Sequence, residues 1–69
     1  MNRIVLNGEN RKFAKAKVGT LSALLNELGV EAATVVAEVD GMIIEREKFS
    51  STEIKNGQNI ELVRFVPGG

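Results

Sequence analysis

Leu21, Leu24, Leu25 and Leu28 recur at the i, i+3, i+4, i+7 spacing that puts apolar side chains on one face of a helix. Thr20 precedes them and can cap the helix start by accepting a hydrogen bond from an unpaired backbone N–H. Gly29 follows, where a left-handed stop costs least without a Cβ. The spacing predicts one main helix over about residues 20–29, little more than two turns long and too short to persist on its own propensity. Its leucine face has to be covered by something else in the chain.

The flanking apolar runs read as strands. Ile4-Val5-Leu6 is followed by Asn7-Gly8, the dipeptide best suited to a two-residue hairpin turn in which both central positions need positive φ. The returning strand is expected from Arg11 to Ala16, and the lysines around Phe13 mark it as an edge strand, where charge discourages further pairing. Val35 to Val39 is rich in β-branched residues and runs into Asp40-Gly41, after which Met42-Ile43-Ile44 resumes the extended pattern as a second hairpin. In the polar stretch Glu45 to Ser51, Phe49 is the expected anchor onto the core. Lys55 to Gln58 is a turn and Asn59 to Val66 the last strand, ended by Pro67, which cannot donate to a sheet ladder. This order of elements predicts an α+β fold in which a mixed sheet packs on one helix, with the first and last strands, the most apolar, at its centre.

Composition limits what such a fold can do. A chain of 69 residues has room for one core, expected over residues 1–66 with residues 67–69 as a flexible tail. It has no cysteine and no histidine, which removes disulfides, the common zinc ligands, the commonest proton shuttle and the strongest side-chain nucleophile. No metal site and no catalytic site of its own are expected. Nine basic and nine acidic residues cancel, so there is no overall positive field to draw it to nucleic acid or an anionic membrane. The longest apolar runs are a few residues, far short of the roughly 20 that span a bilayer, and no basic start leads into an apolar signal segment. The expected location is the cytoplasm. The three phenylalanines are too scattered to form a stacking platform for single-stranded nucleic acid. Gly8, Gly41 and Gly57 are far apart and open no helix, so they read as turn residues and not as a phosphate cradle.

The sequence closes on Gly68-Gly69 directly after a strand and a proline. At a glycine usage of about 7%, roughly 0.5% of random chains would close this way, which leaves a frayed terminus as one reading. The other is chemical. Two residues without side chains can thread a narrow channel and bring a carboxylate to a buried active site. A carboxylate with a pKa near ~3.5 is an anion and a poor electrophile at neutral pH, so it must be activated before a sulfur nucleophile can attack its carbonyl.

Leu6-Asn7-Gly8-Glu9, Val39-Asp40-Gly41 and above all Asn56-Gly57-Gln58-Asn59-Ile60-Glu61-Leu62-Val63-Arg64-Phe65-Val66-Pro67-Gly68-Gly69 resemble the ThiS family, the sulfur carriers of thiamine thiazole biosynthesis. The likeness spans nearly the whole chain. It implies a ubiquitin-like β-grasp fold, related to the molybdopterin synthase small subunit (MoaD). It also implies partners: a ubiquitin-activating-type, ThiF-like enzyme that uses ATP and magnesium to adenylate the terminal glycine, a sulfur donor such as a cysteine desulfurase, and a ThiG-like thiazole synthase that takes the sulfur. On this chain the modified carboxylate belongs to Gly69, with Gly68 before it, and the chain itself binds no cofactor. The family often has glycine where Pro67 stands, so this tail is stiffer and has one donor fewer.

Strand alternation puts Ile60 and Leu62 on one face of the last strand and Glu61, Val63 and Phe65 on the other. With the helix over Ile60 and Leu62, Val63 and Phe65, together with Val5, would lie on an open face beside Val66, Pro67 and the glycines. This is the expected docking patch for the activating enzyme and the sulfur acceptor, with Arg64 at its rim to steer an acidic partner. The competing expectation is ordinary packing of these side chains under the Glu45 to Ser51 segment. The functional alternatives to a thiazole sulfur carrier are a sulfur carrier for molybdopterin synthesis, a protein modifier joined to lysines, and a passive binding module.

Overall fold

A computed structural model describes residues 1–65; residues 66–69, and with them the expected end of the last strand and the 67–69 tail, lie outside the described residues. Five strands form one sheet, β1 (Asn2–Leu6), β2 (Glu9–Phe13), β3 (Val35–Val39), β4 (Met42–Ile44) and β5 (Asn59–Arg64), in the order β2-β1-β5-β3-β4. β1 and β5 are parallel, and the other neighbours are antiparallel. The two most apolar strands are thus central and adjacent, and the charged β2 is an edge. The helix α1 (Leu21–Leu28) covers one face, which makes this the ubiquitin-like β-grasp arrangement.

Local chemistry explains the boundaries. The Thr20 hydroxyl accepts a hydrogen bond from the Ala23 N–H at 3.1 Å, and Gly29 ends α1 at φ 70°. Asn7 and Gly8 have φ 48° and 81°, and Asp40 and Gly41 have 49° and 83°, so both hairpins turn through two consecutive left-handed residues. This tight turn corrects the expected second strand. Glu9 is forced opposite Leu6, so pairing starts two residues earlier than Arg11 and runs out at Phe13, opposite Asn2, where β1 begins. Lys15–Lys17, expected within or beside that strand, forms a 3-10 turn instead.

The core lies between α1 and the sheet. Leu21, Leu24 and Leu25 meet Ile4, Leu6, Val35, Ala37, Val39 and Ile60, with Val18, Phe49 and Ile54 closing the ends. Phe49 is buried, as expected of an anchor, and holds down a segment that is otherwise 3-10 turn and loop. That segment is tied to the start of α1: the Leu21 N–H donates to the Thr52 carbonyl, and the Ile54 N–H to the Gly19 carbonyl. It therefore stays on the helix side, and no described residue outside the strands covers the opposite face of the sheet.

Candidate functional site

The site is the downstream end of β5, and its geometry follows from how that strand is held. On the β3 side, Asp40 N–H donates to the Asn59 carbonyl at 2.7 Å and Phe65 N–H to the Thr34 carbonyl at 2.9 Å. These two bonds fix the parity: the backbone groups of residues 59, 61, 63 and 65 face β3, and those of the even residues face β1. On the β1 side, Val5 N–H donates to the Gln58 carbonyl and Asn7 N–H to the Ile60 carbonyl, each at 2.9 Å.

β1 then turns away, and the Asn7 side chain takes over. Its Oδ1 accepts from the Leu62 N–H at 2.7 Å while its Nδ2 donates to the Leu62 carbonyl at 3.1 Å, reproducing with one amide the bonds a further strand residue would have made. At the other end, the Asp40 carboxylate accepts from the Asn59 N–H at 2.8 Å. The residues that permit the two hairpin turns are the same residues that extend the sheet over β5. Sequence reading identified Asn7 and Asp40 as turn formers only, because the second role depends on contacts about 55 and 19 positions away.

The two faces of β5 differ. On the open face Val63 is 57% exposed and Phe65 40%, and Val36 of β3, directly opposite Val63 in the register, is 42% exposed. Ile43 of β4 adds an exposed side chain at 69%. Val5 lies on the same face, half-buried. Packing under Glu45 to Ser51, the competing expectation, does not occur, because that segment lies across the start of α1. The same face carries Glu38 and Glu61 directly opposite each other. The sequence does not reveal Val36 and Ile43 as part of this face, because only the strand order places Val36 beside Val63 and Ile43 one strand further out, opposite Glu38.

Arg64 points the other way. With Asn7 it completes the wall of an open pocket of about 300 Å³ whose remaining lining, Leu6, Leu28, Val30, Val35 and Leu62, is apolar. The expected patch therefore divides: Val5, Val63 and Phe65 share the open face, whereas Arg64 belongs to the helix-side pocket. Val66, Pro67, Gly68 and Gly69 lie outside the described residues.

Among the described residues these features define a class: a one-helix β-grasp domain whose central strand ends between an apolar open face and a small pocket. The ThiS family model matches residues 4–69, nearly the whole chain and through Gly69, and the chain belongs to the ThiS family. A sulfur carrier protein ThiS of Bacillus subtilis is 36% identical over 64 residues, covering 93% of this chain and 96% of the relative. A thiazole synthase of Paramagnetospirillum magneticum is 34% identical over 67 residues, covering 97% of this chain, which spans only 20% of that relative's length. Among solved structures, the crystal structure of a thiamine biosynthesis protein (ThiS) from Geobacter metallireducens superposes with a TM-score of 0.82 at 32% identity, covering 97% of this chain and 99% of the other. The solution structure of a thiamine biosynthesis protein from Geobacter metallireducens gives 0.78.

Proposed function

We propose that this chain is a sulfur carrier for thiamine thiazole formation, a protein co-substrate and not an enzyme. The observation that carries the reading is a family match that runs through Gly68 and Gly69. A ThiF-like enzyme would adenylate Gly69: a carboxylate oxygen attacks the α-phosphorus of magnesium-bound ATP and pyrophosphate leaves. Sulfide then attacks the activated carbonyl and AMP departs, so the carboxylate becomes a thiocarboxylate. Where the sulfur arrives instead as the persulfide of a donor such as a cysteine desulfurase, the acyl disulfide formed as AMP departs is cleaved by a thiol, which releases the thiocarboxylate and leaves as a disulfide with the donor. Thiazole synthase is the proposed acceptor, a choice supported by the similarity to a segment of a protein of that name.

The arrangement of β5 suits this role. The strand is held from both sides up to Leu62 and from one side up to Phe65, so its direction is set just before the reacting residues. The apolar open face supplies a surface on which the partners dock.

The test is deletion of Gly68 and Gly69. The truncated chain is expected to unfold at the same denaturant concentration as the parent but to support no ATP–pyrophosphate exchange by the activating enzyme. Undiminished exchange would contradict the proposal.

A further inference from the structure

We propose that the backbone edge of β5 at Arg64 is a docking edge for an extended segment of the activating partner, which adds there as a strand and seats an apolar side chain in the adjoining pocket. The inference rests on the carrier reading for the identity of the partner; the edge itself is read from geometry.

By the parity of β5, the Arg64 N–H and C=O face the side on which β1 has already turned away. Asn7 satisfies Leu62 on that side, and among the described residues no hydrogen bond continues the ladder to Arg64. Exposed edges are templates for strand addition, and folds usually blunt them with charge, brevity or proline. The two outer edges here fit that rule: β2 carries Arg11 and Lys12, and β4 is three residues long. The edge at Arg64 lies instead inside the sheet's own footprint, next to an apolar pocket of about 300 Å³.

Two further features match a guest strand. Alternate side chains of a strand point to opposite faces, so one guest residue would enter the pocket while its neighbour met Val63 and Phe65 on the open face. The Arg64 guanidinium on the pocket wall favours a carboxylate in the guest segment.

Hydrogen exchange of the labelled chain, quenched and read amide by amide, tests this with and without the activating enzyme, whose adenylation of Gly69 is followed separately by ATP–pyrophosphate exchange. The Arg64 amide is expected to exchange readily in the free chain and to slow by roughly tenfold or more in the complex. An unchanged Arg64 amide in a complex that adenylates Gly69 would overturn the docking edge and leave the carrier reading standing. Absence of both binding and adenylation would overturn the carrier reading, and the docking edge with it.

A pair of variants gives a second readout. Arg64→Ala removes the guanidinium and keeps the N–H, whereas Arg64→Pro removes both without taking a donor from the β3 ladder. Arg64→Pro is expected to bind the enzyme roughly fivefold or more weakly than Arg64→Ala, and equal dissociation constants would overturn the proposal.

Discussion

Asn7 supports the fold in two ways that substitution can separate. It occupies the left-handed region at φ 48°, and its amide makes both backbone bonds to Leu62. Asn7→Gly keeps the backbone freedom and loses the amide, so it is expected to cost about 1–3 kcal/mol in denaturant unfolding. Asn7→Ala adds the left-handed penalty of about 1 kcal/mol and should be the worse of the two. An Asn7→Gly variant as stable as the parent would show that the amide does not hold β5. The turn role of Asn7 could be read from its neighbour Gly8, because it is local. The Leu62 contact could not, since no pattern in the sequence says which distant strand lies beside a turn.

Among the elements, α1 was the most legible, because cap, stripe and stop all lie within ten residues and agree. Thr20→Ala is expected to lower stability by about 1 kcal/mol by removing the bond to the Ala23 N–H. Leu24→Ala, at a fully buried position, is expected to lower it by about 2–5 kcal/mol. Both are measurable by urea titration, and an effect of Leu24→Ala below that of Thr20→Ala would contradict the packing described. β2 was less legible: its composition named an edge strand correctly, but its limits were set by the turn and by where β1 begins. Pairing between strands was hidden altogether. It brings Glu38 opposite Glu61, two like charges that the fold does not favour. Glu61→Lys is therefore expected to raise stability by about 0.2–1 kcal/mol, and a destabilised variant would mean that Glu61 is held by contacts other than this pair.

For the whole molecule, the helix and the Phe49 segment share one side of the sheet, which leaves the other side apolar and open around Val36, Val63 and Phe65. Phe65→Ser is expected to weaken binding to the activating enzyme by roughly tenfold, the order of one buried aromatic anchor, with the unfolding midpoint unchanged. Unaltered affinity, or loss of the fold, would contradict a docking role for that face. Alternation along β5 was enough to foresee an open face holding Val63 and Phe65. It does not supply Val36 and Ile43, which only the strand order adds, and the same alternation sets Arg64 opposite to Val63 and Phe65, on the side of the pocket. No helix among the described residues is long and apolar enough to cross a membrane.

The central claim concerns one atom at the carboxyl group of Gly69, and intact mass with C-terminal fragmentation tests it most directly, after incubation with ATP, magnesium, a sulfide source and the cognate activating enzyme. Fragmentation is needed because oxidation of Met1 or Met42 gives nearly the same nominal shift. The expected result is sulfur in place of one oxygen on Gly69. An unmodified Gly69, with an enzyme shown to be active on another carrier, would contradict the claim.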